Sequence, residues 1–574
     1  MLEATAPTRN QDQNHGQGQG SREPRRRRGA AAARGLARLV AGAGVRAAAW
    51  RTRLGGWVAA RPLVAAAALI GLGWLPYLVI LFPGTYSWDG FRQLNEFYEY
   101  QPRTTHHPFM ATLLMGGLFA AGRGFGVNAA LFGYSLVQAG LACLVFAWTC
   151  GRVFRLAAAV WRRGWAFAAW AVATAFFALN PVFPVAATTV FKDFPYALGL
   201  LTLVNVLVGA VLRRSLSARG MVVFVLGAGA TAAFRNDGIV IALAATAGLA
   251  LILRPGRQRR RALMAGGLVG AGLVLANAAV FPAMGVTKYS NAEMLSLPLQ
   301  QTARYLRDHP DDVTRAEAAT LQSLLKDGRR VEELGANYKA VVSDPVKNRF
   351  ASFDADRLRR YLGVWWSQLL KHPATYAKAT AANTIGYFVP HRQSEIAPIS
   401  YPRQIHLKAG YWDDLKAKLS RPEADFDPSY PPALAGARAG LIKAVRAVLP
   451  ASVIWPAFTP ALYTWLLAVC AALLAWRRLW RQLWPFAPAG LCLLVCLASP
   501  VNGNMRYALP YVVSTPLLVA FALHALATAR SRGWPMPSST PDQPARPPLA
   551  PGRSPTRPPA GARRASPGGR VKTE

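Results

Sequence analysis

Apolar stretches close to twenty residues long recur along this chain, and the connections between many of them carry arginine without a single acid. A helix rises roughly 1.5 Å per residue, so such a stretch matches the roughly 30 Å hydrocarbon core of a bilayer. The pattern restricts the fold to a bundle of membrane-crossing helices, because only helices and closed barrels satisfy every backbone group in lipid. The charge balance agrees. The chain has 574 residues, 52% of them hydrophobic, with 66 Lys+Arg against 27 Asp+Glu and a formal charge of +39. A soluble enzyme mixes both signs over its surface, and a chromatin-type basic protein lacks repeated apolar runs. Arginine-loaded cytoplasmic loops account for both features.

The expected fold class is an all-α polytopic membrane protein of about ten transmembrane helices with a mostly helical extracytoplasmic insertion. Residues 1–62, with Arg25-Arg26-Arg27-Arg28, are expected to be a disordered basic cytoplasmic N-terminus, and 529–574 a disordered Pro/Arg-rich cytoplasmic tail. Residues 63–284 form the N-terminal transmembrane domain, 285–455 the insertion, and 456–528 the C-terminal transmembrane helices. Leu63 to Phe82 reads as a retained first helix, too long for a signal-peptide core. Further helices are expected at about 127–150, 165–180, 194–212, 220–234, 239–253, 263–284, 457–475, 486–501 and 508–528. His107-Pro108 opens a shorter apolar stretch ending near Ala121, read as re-entrant or interfacial. With both termini inside, every acid-free arginine cluster falls in the cytoplasm: Arg152 to Arg163, Arg213 to Arg219, Arg254 to Arg261, and Arg477 to Arg481.

The insertion differs, with 24 Lys+Arg and 17 Asp+Glu. Helical spacing runs from Ser296 to Leu325, broken by a turn at Asp308-His309-Pro310-Asp311. Leu358 to Phe388 is amphipathic, with Trp365 and Trp366 suited to an interface, and Pro398 to Pro432 is loop-rich. Five cysteines, Cys143, Cys150, Cys470, Cys492 and Cys496, form no CxxC pair, which argues against a disulfide framework or a zinc site.

Topology brings four polar segments to the outer boundary. They are Tyr86-Ser87-Trp88-Asp89-Gly90 with Glu96, Glu99 and His106-His107; Lys192-Asp193; Arg235-Asn236-Asp237-Gly238; and Asn504-Met505-Arg506-Tyr507. Ionisable groups at membrane depth cost about 2.5–3.5 kcal/mol each on insertion scales, so they face cavities or one another. The set combines carboxylates (Asp89, Asp193, Asp237), cations (Lys192, Arg235, Arg506) and aromatics (Trp88, Tyr507). A carboxylate can take a proton from a hydroxyl, arginine can hold a phosphate in bidentate fashion, and aromatic faces suit sugar rings. A phosphate-linked lipid donor and a hydroxyl acceptor would use all three.

On these residues the chain resembles the GT-C class of polytopic membrane glycosyltransferases, through Ser87-Trp88-Asp89-Gly90, the His-Pro opening of a short helix, Lys192-Asp193, and Arg506-Tyr507 with Pro510. Within that class it looks closest to an uncharacterised DUF6020-like branch, on Glu293 to Gln301 (EMLSLPLQQ) and on His372-Pro373 through Tyr387-Phe388-Val389-Pro390. The resemblance implies a hexosyl or pentosyl transferase that uses a polyprenyl-phosphate-linked sugar donor and a cell-envelope glycan or glycolipid acceptor, in contact with membrane lipids and with no nucleic acid. Asp89 is the implied base, and Trp88, His106, His107, Lys192, Asp193, Arg235, Asp237, Glu293, Gln300, Arg506 and Tyr507 the implied substrate-binding residues. No cofactor or metal is implied. Many such enzymes have two adjacent acids in the first loop, whereas Asp89 stands alone until Glu96, an arrangement compatible with no divalent cation.

Plainer structural roles exist for each residue. Asp89 fits a helix cap, Lys192-Asp193 an ion pair, Arg235 and Asp237 a locked turn, and Arg506 an interfacial anchor. His106-His107 suits headgroup contact better than a metal pair, and Glu293 and Gln300 suit a solvated cap surface. Two other functions compete: a transporter or lipid flippase, disfavoured by helix centres nearly free of charge, and a non-catalytic envelope scaffold.

Overall fold

The computed structural model describes residues 55–390, 426 and 428–531. The sequence expectations for residues 1–54, for most of the loop-rich stretch from Pro398 and for the C-terminal tail from residue 532 fall outside them. All that follows lies in the compact unit ending at Thr528 and in the helix that runs on from it.

The chain is mostly helical. Five helices are long and apolar enough to cross a membrane: α1 (Pro62–Ile80), α4 (Val127–Ala158), α7 (Asp193–Arg213), α10 (Arg257–Leu275, extended by a π-turn to Ala283) and α18 (Met505–Ser531). Between them run shorter apolar helices: α3 (Phe109–Arg123), α5 (Arg163–Leu179), α8 (Ala218–Phe234), α9 (Gly238–Ile252), α16 (Pro460–Trp476) and α17 (Ala487–Leu497). A 17-residue helix such as α5, α8 or α16 reaches only about 25 Å. The expected apolar segments therefore all form helices, and the short stretch after His107-Pro108 is the 15-residue α3.

Helix α7 is the centre of the bundle. Its most apolar window is 78% buried, against 22% for α1 and 17% for α10. Its one amide-bearing interior residue, Asn205, donates Nδ2 to Thr149 Oγ1 of α4 at 2.8 Å and to the carbonyl of Leu201 at 3.0 Å. At one end of the bundle the arginine-bearing connections meet. The guanidinium groups of Arg152 and Arg213 both approach Gly209, Leu216 N–H donates to Gln258 Oε1 at 3.2 Å, and His524 Nδ1 lies 3.0 Å from the carbonyl of Leu156.

The opposite end is organised by a short parallel pair, β1 (Thr85–Tyr86) with β2 (Thr189–Val190), in register Thr85 to Thr189 and Tyr86 to Val190. Gln138 of α4 supports it from below, its Nε2 lying within 3.1 Å of the carbonyls of Ala186, Ala187 and Thr189. Helix α2 (Trp88–Phe97) starts directly after β1, and helix α6 (Val182–Ala187) leads into β2. Ser87 caps α2, accepting from Gly90 N–H at 2.9 Å and donating to the carbonyl of Val190 at 3.0 Å.

The insertion has its own core, built on Leu299, Ala303, Leu321, Leu334, Val346, Phe350 and Tyr361. The helical stretch expected from Ser296 divides into α11 (Ser296–Asp308) and α12 (Arg315–Leu324). The break lies at the expected turn, and Thr314 and Glu317 close a capping box on α12. Leu358 to Phe388 likewise divides at His372-Pro373, into α13 (Ala355–Lys371) and α14 (Pro373–Thr384). Trp365 works inside the insertion, donating to Gln301 Oε1 at 2.9 Å, while Trp366 is exposed. The insertion grips the loop that precedes α18. Ser343 N–H donates to Pro500 (2.8 Å), Asn383 Nδ2 to Ser499 (3.1 Å), and Asn502 accepts from Gly386 N–H (2.8 Å). Near the C-terminal end of the insertion, helix α15 (Ala435–Lys443) packs back on α1, with Arg438 Nε on the carbonyl of Ile80 at 3.3 Å.

A β-carbon at Gly90 would lie 1.9 Å from the carbonyl oxygen of Val190. Gly90→Ala is expected to destabilise the protein by roughly 1–3 kcal/mol through overpacking. Gly117→Ala, in α3 with nothing within 4 Å, should be neutral or stabilising. Thermal unfolding of the two purified variants beside the wild type checks this; equal midpoints would refute the close-approach argument.

Candidate functional site

The β1–β2 register fixes the site. Asp89 follows β1 by three residues, in the first turn of α2, and Lys192 follows β2 by two, at the N-cap of α7. Because Ser87 caps the helix, the Asp89 carboxylate is left for cations: its Oδ2 accepts from Lys192 Nζ at 2.7 Å. Arg506 enters from the first turn of α18, donating Nη2 to the same Asp89 oxygen and Nε to Asp193 Oδ2 at 2.6 Å. A cation at a helix N-terminus opposes the helix dipole, and the two carboxylates offset that cost.

Asp193 is 1% exposed. Its second oxygen takes Arg235 Nη1 at 2.8 Å. Arg235 Nε donates to Asp237 Oδ1 at 2.9 Å, and Asp237 Oδ2 accepts from Tyr196 O–H at 3.0 Å. Arg235 lies over the rings of Tyr196 (5.4 Å) and Tyr507 (5.3 Å), and Arg506 over Tyr507 (5.6 Å). The result is one chain of contacts, Lys192–Asp89–Arg506–Asp193–Arg235–Asp237–Tyr196, with three carboxylates against three cations. Gly238 lets the last link form, since a β-carbon there would meet the carbonyl oxygen of Thr231 at 1.9 Å.

Burial alone would raise the pKa of Asp89. Arg506, Lys192 and His107 outweigh it and hold the carboxyl well below its usual range. His107 lies opposite, 5% exposed, its Nε2 3.9 Å from Asp89 Oδ1 and without a hydrogen-bond partner. Burial, reinforced by Lys192, pushes its pKa well below the ordinary histidine value, so the ring is neutral at pH 7. The His106 ring packs at steep angles against His107 and Tyr289, each at 4.3 Å between centroids. Burial and then Arg92 bring its pKa down to about 4.

The structure thus gathers Asp89, His107, Lys192, Asp193, Arg235, Asp237, Arg506 and Tyr507, with His106 directly behind. Trp88 flanks Asp89 and is 47% exposed. Glu293 and Gln300 sit in the insertion. Glu293 pairs with Lys347, while Gln300 Nε2 is committed to the carbonyls of Lys339 (2.7 Å) and Val342 (3.0 Å). Sequence reasoning missed Tyr196; its spacing of three from Asp193 on one helix was the available signal. It also missed Tyr289, which marks the contact between the insertion and His106. Among the described residues, one group has metal-ligand chemistry: His309, Asp312 and His372, with ligand atoms within 4.8 Å of one another. It lies in the insertion, where the two imidazoles stack at 3.6 Å and His372 Nε2 meets Asp312 Oδ2 at 2.7 Å.

A family model described as a family of unknown function, DUF6020, matches residues 102–533. The chain belongs to this DUF6020 family. No curated protein and no solved structure matches it. The matched stretch includes His106, His107, Lys192, Asp193, Arg235, Asp237, Arg506 and Tyr507, and begins after Asp89.

Removing Asp193 leaves two buried guanidinium groups without their shared acceptor. Asp193→Ala is expected to cost about 3–5 kcal/mol, as for other broken buried pairs. Asp237→Ala, at a more exposed carboxylate, should cost less. Denaturant unfolding in detergent compares the two, and equal losses would contradict the central place of Asp193. The histidines add a pH dependence. His106 folds with its pKa lowered from 6.5 to about 4, so the unfolded chain takes up the proton first. Stability is full above about pH 6.5 and falls as pH drops toward 4. The thermal midpoint of His106→Asn should fall less over that range than that of the wild type; parallel curves would exclude His106 as a source.

Proposed function

We propose that this DUF6020 protein is an inverting glycosyltransferase of the GT-C kind, crossing the cell membrane about ten times with both termini in the cytoplasm. It would move a hexosyl or pentosyl unit from a polyprenyl-phosphate donor to a cell-envelope glycan or glycolipid at the extracytoplasmic face. The observation that carries this reading is the neutral chain of three carboxylates and three cations around Asp89, set at the end of the bundle opposite the arginine clusters. By the positive-inside rule the arginine end is cytoplasmic, which faces Asp89 outward.

The reading assigns each part of the reaction to a group in this geometry. Lys192 and Arg506 bind Asp89 by charge-assisted hydrogen bonds that a donor phosphate can take over. The exchange removes the charges that lower the Asp89 pKa, and the buried carboxylate becomes a stronger base at the moment the donor is bound. Asp89 then takes the proton of the acceptor hydroxyl as its oxygen attacks the anomeric carbon. The bond from that carbon to the phosphate oxygen breaks with inversion, and the polyprenyl phosphate leaves held by Lys192 and Arg506. Neutral His107 can hydrogen-bond the acceptor hydroxyl through Nε2. Asp193, tied to Arg235 and Arg506, keeps the guanidinium groups aimed.

The test compares envelope glycans in cells lacking the gene, complemented with wild type, or complemented with Asp89→Asn at matched expression. Loss of one defined sugar on deletion is expected, restored by wild type and at least about 100-fold less by Asp89→Asn, the scale of general base catalysis. Full restoration by Asp89→Asn would remove Asp89 as the base. Glycans unchanged in every strain would shift the reading to transport or scaffolding.

A further inference from the structure

The arginine end of the bundle contains a buried cation that the proposed reaction does not use. Arg152, on α4, is 9% exposed, its Nε has no hydrogen-bond partner, and it pairs with no carboxylate among the described residues. Its guanidinium lies over the ring of Trp148 at 5.3 Å. The charges that act on it, Arg155 and Arg213, are both positive. A β-carbon on Gly209 of α7 would meet Arg152 Nη1 at 2.6 Å and Arg213 Nη2 at 3.0 Å, so the two guanidinium groups converge on one bare patch of helix backbone.

Among the described residues no acid lies near enough to pair with it. From residue 55 to 292 the acids are Asp89, Glu96, Glu99, Asp193 and Asp237, all at the other end of the bundle, and from 428 to 528 there are none. A buried unpaired charge costs several kcal/mol, and the cost grows with a second like charge beside it. The C-terminal dipole of α7 offsets part of this. An anion between the two guanidinium groups offsets the rest.

We propose that Arg152 and Arg213, over Gly209, form a binding niche for a phosphate oxyanion, supplied by the headgroup of an anionic phospholipid in the adjacent leaflet. Arginine forks match phosphate oxygens in bidentate fashion. Arg213 and Arg155 are exposed and give the headgroup access, while Leu212 beside them, 44% exposed, suits an acyl chain. The niche is independent of the transferase reading, since it lies at the far end of α7 and contains none of the site residues.

The test uses the full chain in nanodiscs of phosphatidylcholine with a rising fraction of phosphatidylglycerol at fixed ionic strength, with thermal unfolding as the readout. The wild-type midpoint should rise and saturate at a low fraction of the anionic lipid. Arg213→Gln, at an exposed position that leaves the buried packing intact, should move half-saturation about tenfold higher, equivalent to roughly 1.4 kcal/mol. Arg260→Gln, in a neighbouring cluster, should leave it unchanged. A parallel titration of inorganic phosphate into pure phosphatidylcholine discs separates the sources. Saturation by phosphate that Arg213→Gln weakens would keep the niche but assign it a soluble anion. Identical responses of wild type and Arg213→Gln in both titrations would overturn the proposal.

Discussion

Asp193 is the acid on which the functional end of this protein depends. One carboxylate oxygen holds Arg235, from the turn after α8, and the other holds Arg506, from the start of α18. Those arginines lie 271 positions apart in the chain, so a single buried anion ties the middle of the sequence to its last helix. Without it Arg235 would keep only Asp237 and Arg506 only Asp89, and the charge link between the two loops would be lost. Asp193 is itself placed by α7, whose N-terminal dipole favours a carboxylate in the first turn, and by the β1–β2 pair that ends two residues before Lys192.

The same network keeps the Asp89 carboxylate ionised and occupied. With Lys192 and Arg506 on its oxygens, Asp89 is a stable anion and a poor base. Only a ligand that competes for those cations can change that, and a phosphate diester is such a ligand. Neutral His107 completes the arrangement, because a charged imidazole beside Lys192 would be repelled and a neutral one can hydrogen-bond a hydroxyl. Equal numbers of acids and cations also remove the net charge that would otherwise burden a site at membrane depth.

Much of this was legible in the sequence. Apolar run lengths placed every helix of the bundle, and the confinement of acids to a few segments selected the residues that the structure brings together. Pairings were less legible, because they depend on registers between distant segments. Lys192 and Asp193 are adjacent in sequence, yet Lys192 pairs with Asp89 and Asp193 with two arginines, since successive residues at a helix start point in different directions. The capping role suggested for Asp89 belongs to Ser87, a distinction that rests on which side chain reaches Gly90 N–H. Gln300 and Glu293 stand out by helical spacing and by the EMLSLPLQQ resemblance, and neither signal reports that neighbouring backbone carbonyls and Lys347 engage them inside the insertion.

Helix α7 connects the two ends in one element, with Asp193 in its first turn and Arg213 in its last. Each charge sits at the helix end whose dipole favours it, so the arrangement is stabilised locally at both termini. The wider distribution repeats the pattern: among the described residues the acids of the helical body lie at the α7 N-terminal end and the acid-free arginine clusters at the other. An anionic leaflet would attract the arginine end, which is the basis of the proposed orientation. The proposed orientation and the proposed site then rest on one asymmetry in where the chain places its few carboxylates.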